Sequence, residues 1–140
     1  MPVTTDDGLR DLLELDVVAV VGCSSTPGKA AHEIPAYLQR HGYDVIPVNP
    51  YADEILGREA YDSLADVEEE VDLVDVFRPS EEVPNVVDQV IARKADRGDV
   101  RAIWLQLGIE HDEAAARAEE AGLRIVQDRC MKVEHGRLVR

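Results

Sequence analysis

Lysine is nearly missing from this chain. Lys29, Lys94 and Lys132 stand beside twelve arginines and 29 acidic residues, for a formal net charge of −14. So acidic a surface repels phosphate backbones and excludes nucleic acid as an expected partner. Cysteine is as scarce: Cys23 and Cys130 are too few to staple a small fold and read as two reduced thiols. No apolar run approaches the ~18 residues that a membrane helix needs. The segment Met1–Asp11 is acidic where a signal peptide would be apolar and a transit peptide basic. No membrane association is expected, and the cytoplasm is the default location.

Two phosphate-binding signatures are also missing. The stretch Val20–Ala30, VVGCSSTPGKA, has five residues between Gly22 and the Gly28-Lys29 pair where a P-loop has four. Ala30 follows where a P-loop places the hydroxyl that binds magnesium. The dinucleotide fingerprint fails too, because Ser24 and Pro27 occupy the places of its second and third glycines.

What is present is an apolar fraction of 45% over 140 residues, enough for one domain, residues 1–140, with its own core. A short amphipathic helix follows the capping candidates Thr5 and Asp6. The β-branched run Val17–Val21 is a strand stopped by Gly22, and a helix carries Ala31, Ile34, Tyr37 and Leu38 inward until Gly42, shortened or kinked by Pro35. Val45–Val48 is a second strand, 51–62 is irregular, and Ser63–Val67 is a short helical turn. Val71–Phe77 is a third strand, and Ser80 caps a helix with a valine stripe. Ala102–Gln106, an alanine-rich helix opened by Asp112, and Leu123–Val126 complete the alternation. The tail from Asp128 to Arg140 is read as a candidate sixth strand. Continuous apolar strands alternating with helices imply an α/β, doubly wound parallel sheet of five or six strands with helices on both faces.

Such sheets bind ligands beyond the carboxyl ends of their strands, where strand order reverses. At the first exit Gly22 permits a sharp turn, Cys23, Ser24 and Ser25 are small residues whose amides can face a phosphate, and Lys29 adds a cation. At the second exit Val48-Asn49-Pro50 replaces the carboxylate expected of a plain NAD site. Val48 and Pro50 offer apolar surface to an adenine. Phe77-Arg78-Pro79 supplies a guanidinium at the third exit, where Arg78 either clamps phosphate or pairs with a nearby carboxylate. His32, His41, His111 and His135 fit no zinc spacing and are read as surface or capping residues.

Taken in order, VAVVGCS at 18–24, VIPVNP at 45–50, VDVFRP at 74–79, WLQLG at 104–108 and DRCMK at 128–132 resemble the stand-alone CoA-binding proteins. Those in turn are similar to the CoA-binding N-terminal domain of succinyl-CoA synthetase α subunits. The resemblance runs from about Leu9 to Leu138. It implies a Rossmann-like domain with coenzyme A as cofactor, its phosphates near the first loop and its adenine between the first and second exits. Carried over by position, it marks Gly22, Cys23, Ser24, Ser25 and Lys29 for the phosphates, Val48, Asn49 and Pro50 for the adenosine, and Phe77, Arg78 and Pro79 for a wall. Gln106 and Gly108 mark the fourth exit, and Cys130, Met131 and Lys132 belong to a matching element without individual roles. The chain ends where the synthetase's second domain, with its phosphorylated histidine, would begin.

The expectation is a module that holds CoA or an acyl-CoA without catalytic residues of its own. The alternatives are a CoA-linked thiol enzyme using Cys130 or Cys23, because Arg129 and Lys132 beside Cys130 favour a thiolate, and a CoA-responsive regulatory subunit of a partner enzyme. Self-association stays open. The acidic, lysine-poor composition also suggests a salt-rich habitat, where screening relieves self-repulsion.

Overall fold

The computed structural model describes residues 1–139. α1 (Asp6–Leu13) begins where Thr5 Oγ1 accepts the Gly8 N–H at 3.1 Å, and its buried face is Leu9, Leu12 and Leu13. There follow β1 (Val17–Val21), α2 (Ala30–Arg40) and β2 (Asp44–Val48). β3 (Glu54–Ile55) and β4 (Arg58–Glu59) come next, then a 3₁₀ turn at Leu64–Asp66 and β5 (Leu73–Val76). A second 3₁₀ turn at Ser80–Glu82 leads into α3 (Val83–Arg97), followed by β6 (Ala102–Leu105), α4 (Asp112–Glu120), β7 (Arg124–Val126) and α5 (Met131–Leu138).

Five strands form one parallel sheet in the order β2-β1-β5-β6-β7. The chain winds from β1 outward to β2, then crosses back and winds the other way through β5, β6 and β7. Strand order therefore reverses between β1 and β5, and the crevice opens at their carboxyl ends. One face of the sheet buries Val83, Val86, Val87 and Val90 of α3 with the small residues Ala114, Ala115 and Ala118 of α4. The other buries the α1 leucines, Leu38 of α2, and Met131 and Leu138 of α5 around Trp104. Each fully buried Leu or Ile on these faces stabilises the fold by roughly 1.5–3 kcal/mol.

Four expectations change. The tail is not a sixth strand: Met131, Glu134, His135 and Leu138 point inward at helical spacing and form α5, while Arg140 lies outside the described residues. The segment 51–62 contains the hairpin β3–β4, turned by Leu56 at φ +55° and Gly57 at φ +75°, the left-handed pair that tight hairpins need. Ser80 caps no helix; its Oγ instead accepts the Glu110 N–H at 3.1 Å, tying the β5 exit to the β6 exit.

Pro35 neither ends nor shortens α2. Lacking an N–H, it leaves the Ala31 carbonyl without its helical donor, and that carbonyl accepts the Ser24 N–H at 2.9 Å. His32 Nδ1 meets the Ser24 carbonyl at 2.8 Å. Both backbone groups of Ser24 are thus fastened to the first turn of α2.

Candidate functional site

Gly22 begins the site. Its φ is +86°, and a Cβ placed on it would lie 2.6 Å from the Phe77 carbonyl oxygen and 2.9 Å from Arg78 Cδ. Only glycine lets the β1 exit pass this close to the β5 exit. The Gly22 N–H donates to the Val48 carbonyl at 3.1 Å, and the Asn49 side-chain amide donates to the Cys23 carbonyl at 2.8 Å while its Oδ1 accepts the Tyr51 N–H at 2.8 Å. The exits of β1, β2 and β5 are therefore one assembly.

They enclose a hollow of about 320 Å³ lined by Val21 to Ser24, Val48 to Tyr51, Asp62 to Leu64, Arg78 and Gln89. Its wall is mixed: apolar at Val21, Val48, Pro50 and Leu64, polar at Ser24, Asn49, Ser63 and Gln89. Tyr51 stands 95% exposed at its edge. Beyond the hollow residues 25–29 are exposed. The Ser24 N–H is bonded as described and the Thr26 N–H donates to Ser24 Oγ at 3.0 Å, but among the described residues the amides of Cys23, Ser25 and Gly28 have no protein partner. Lys29 is exposed, precedes α2 and forms no ion pair among the described residues. Arg78, by contrast, is held by both carboxylate oxygens of Glu82 at 2.7 and 2.8 Å, a surface pair worth ~1 kcal/mol or less that an incoming phosphate can replace.

The remaining marked residues lie elsewhere. Phe77 is half-buried against the α1–α2–α5 face, and Pro79 is exposed ahead of the second 3₁₀ turn. Gln106 is buried: its Nε2 donates to Asp75 Oδ1 at 2.5 Å and its Oε1 accepts the Met131 N–H at 3.2 Å. Met131 is fully buried at the start of α5. Gly108, at φ +84°, donates its N–H to Asp128 Oδ1 at 2.6 Å. Lys132 is exposed, 5.3 Å above the Tyr37 ring. Cys130 is half-buried and lines a different, larger hollow of about 670 Å³ beyond β6 and β7, with Leu107, Arg129 and Val133.

The two thiols differ. Cys23 is wholly buried, and burial, with the neighbouring Asp75 carboxyl adding to it, pushes its pKa up to about 12. Its side chain belongs to the core on the α1–α2–α5 face. Cys130 has access to solvent.

Sequence reasoning missed Asp75. The residue is completely buried in β5 between Val20 and Trp104, its Oδ2 has no hydrogen-bond partner, and burial raises its pKa to about 7 against the opposing Gln106 hydrogen bond. A lone carboxylate inside the apolar strand Leu73–Val76 was the available signal. Tyr51, Asp62, Ser63 and Gln89 reach the hollow from segments without motifs, and only the fold shows them there. Among the described residues no group of three or more His, Cys, Asp and Glu is placed to hold a metal, and no helix is long and apolar enough to cross a membrane. His111 caps α4, its Nδ1 accepting the Ala114 N–H at 3.1 Å.

Known proteins share both sequence and fold. Residues 16–136 match the family model described as a CoA binding domain. The chain is 37% identical over 118 residues to the uncharacterized protein YneT of Bacillus subtilis, covering 84% of each. It is 34% identical over 128 residues to ADP-forming acetate-CoA ligase II of Archaeoglobus fulgidus, 89% of this chain but only 18% of the ligase. A solved structure, a hypothetical protein of Pyrococcus horikoshii, superposes with a TM-score of 0.90 at 37% identity, covering 100% of this chain and 97% of that one. The match to the family model over most of its length, with the parallel sheet beneath it, places this chain in the CoA binding domain family.

Proposed function

We propose that the protein holds coenzyme A with its adenosine in the 320 Å³ hollow and its diphosphate over the loop 23–29, and that it does so without catalysing a reaction. The observation that carries this reading is the β1 loop itself. Ser24 is locked onto α2, the amides of Cys23, Ser25 and Gly28 are free of protein partners, and an unpaired Lys29 stands beside them. Preset amides and one cation suit a diphosphate, because donors fixed before binding lose little freedom on contact. Pro50 and Val48 present flat apolar surface to a purine, and Arg78 can turn from Glu82 to a phosphate. The acetate-CoA ligase contains a similar segment in 18% of its length, which supports reading the shared part as the portion that holds CoA. A separately encoded partner enzyme is then the natural user of the loaded module.

Isothermal titration with CoA tests this. Binding is expected, and Lys29→Ala should weaken it about tenfold, since a charge-assisted contact contributes roughly 1.5–3 kcal/mol before solvent screening lowers it. Absence of heat with CoA at several salt concentrations would overturn the reading; an unchanged affinity in the variant would move the diphosphate away from this loop.

A further inference from the structure

The Asp75–Gln106 pair lies outside the proposed adenosine hollow and is spent on neither loop. Its geometry is a relay: the Asp75 carboxyl holds the Gln106 Nε2 at 2.5 Å, and the same side chain's Oε1 receives the Met131 N–H at 3.2 Å. A primary amide carries its donor and acceptor in one plane on the same carbon, so fixing the NH₂ end fixes where the oxygen points. The Met131 N–H is the first amide of α5, and the preceding residue, Cys130, contributes no side-chain cap. Among the described residues Gln106 is the side chain that accepts this first helical N–H, while the Trp104 indole N–H separately donates to the Arg129 carbonyl at 2.9 Å; Asp75 sets the orientation of Gln106. Asp75, Gln106 and Met131 are all buried. From the geometry we infer that Asp75 is a positioning residue for Cys130 and the first turn of α5, and that gain or loss of its proton shifts their position beside the larger hollow.

The neutral and ionised carboxyl differ in how strongly they hold the Gln106 NH₂, since a charged acceptor makes a shorter and stronger bond. The second oxygen, Oδ2, has no hydrogen-bond partner, and besides Gln106 only the Val76 backbone amide favours the charged form. The surroundings leave the response to Asp75 alone. Flanking it in the sheet are Val20 and Trp104; the titratable neighbour coupled to it is the Cys23 thiol, protonated across the physiological range. Titratable groups of the helices on this face are engaged elsewhere: His32 with the Ser24 carbonyl, Glu134 with Arg129 and Arg137, His135 with Tyr37, and Asp6 of α1 with Arg137. This inference does not depend on where CoA sits.

The test is a pH series on the ¹³C,¹⁵N-labelled protein, read in amide spectra at the Gln106 side-chain NH₂ and the backbone amides of Cys130 and Met131, and in carboxyl-carbon spectra at Asp75. In the wild-type protein these signals should move together, with a midpoint near 7. In Asp75→Asn the shared movement should vanish. In Gln106→Ala the Asp75 carboxyl carbon should still titrate while Cys130 and Met131 no longer follow it. Signals of Cys130 and Met131 that stay still in the wild type, or move equally in Asp75→Asn because a histidine drives them, would overturn the inference. The wild-type series decides even where a variant folds poorly.

Discussion

Asp75→Asn should make the protein more stable in mildly alkaline buffer and not in acid. In the folded protein the carboxyl keeps its proton up to about pH 7, whereas in the unfolded chain it ionises near 3.8. The wild type's stability from this group is complete below the unfolded value, falls as pH rises between the two, and is lost above about 7. A rise of about three units at ~1.4 kcal/mol each places the cost of the buried carboxylate on the order of 4 kcal/mol above that pH. Asparagine removes the charge and keeps an oxygen for Gln106, but leaves an NH₂ where Oδ2 has no partner, a loss of about 1–3 kcal/mol. The net gain at pH 8 is then roughly 1–3 kcal/mol, or ~3–9 °C in melting temperature for a domain of this size. At pH 4 the variant should be equal to or less stable than the wild type. Paired thermal melts followed by circular dichroism at both pH values measure the difference directly, and taking the difference cancels the general effect of pH on an acidic protein. A variant that melts at or below the wild type at pH 8, or whose advantage is the same at both pH values, refutes the reasoning.

Gly22 and Gly28 have nearly equal positive φ, +86° and +93°, but only Gly22 has backbone within reach of an added Cβ. Gly22→Ala should cost about 2 kcal/mol or more and weaken CoA binding, while Gly28→Ala should cost ~1 kcal/mol from backbone strain alone; equal melting temperatures for the two variants would contradict the close approach. The net charge of −14 predicts that the melting temperature rises as KCl goes from dilute to molar, because screening relieves self-repulsion. A melt insensitive to salt removes the case for a salt-rich habitat.

The strands and their exits were legible because Val17–Val21 and Val45–Val48 are apolar runs rich in β-branched residues, ended by Gly22 and by Asn49-Pro50. α5 was not. Its inward positions 131, 134, 135 and 138 keep helical spacing, but Glu134 and His135 are polar, and each is buried only because Arg137 or Tyr37 satisfies it. A pattern that counts apolar residues cannot see a stripe completed by hydrogen bonds. The hairpin was invisible because its strands are two residues long. In the candidate site, Gly22, Ser24, Asn49 and Arg78 were readable as exit residues, whereas the roles of Asn49 and Gln106 as ties between segments were not. Gln106 and Asp75 are separated by 31 positions, and only the β5–β6 register brings them together.

Pro35 sits eleven residues downstream of Ser24, the loop residue it helps fasten. By denying α2 one internal bond it hands the Ala31 oxygen to Ser24, so a residue known for disrupting helices here works as a clasp. Under the proposed CoA-binding reading, a visiting anion would meet a mould cast during folding, and what would otherwise be lost in ordering a floppy turn would already have been spent before the visitor arrives.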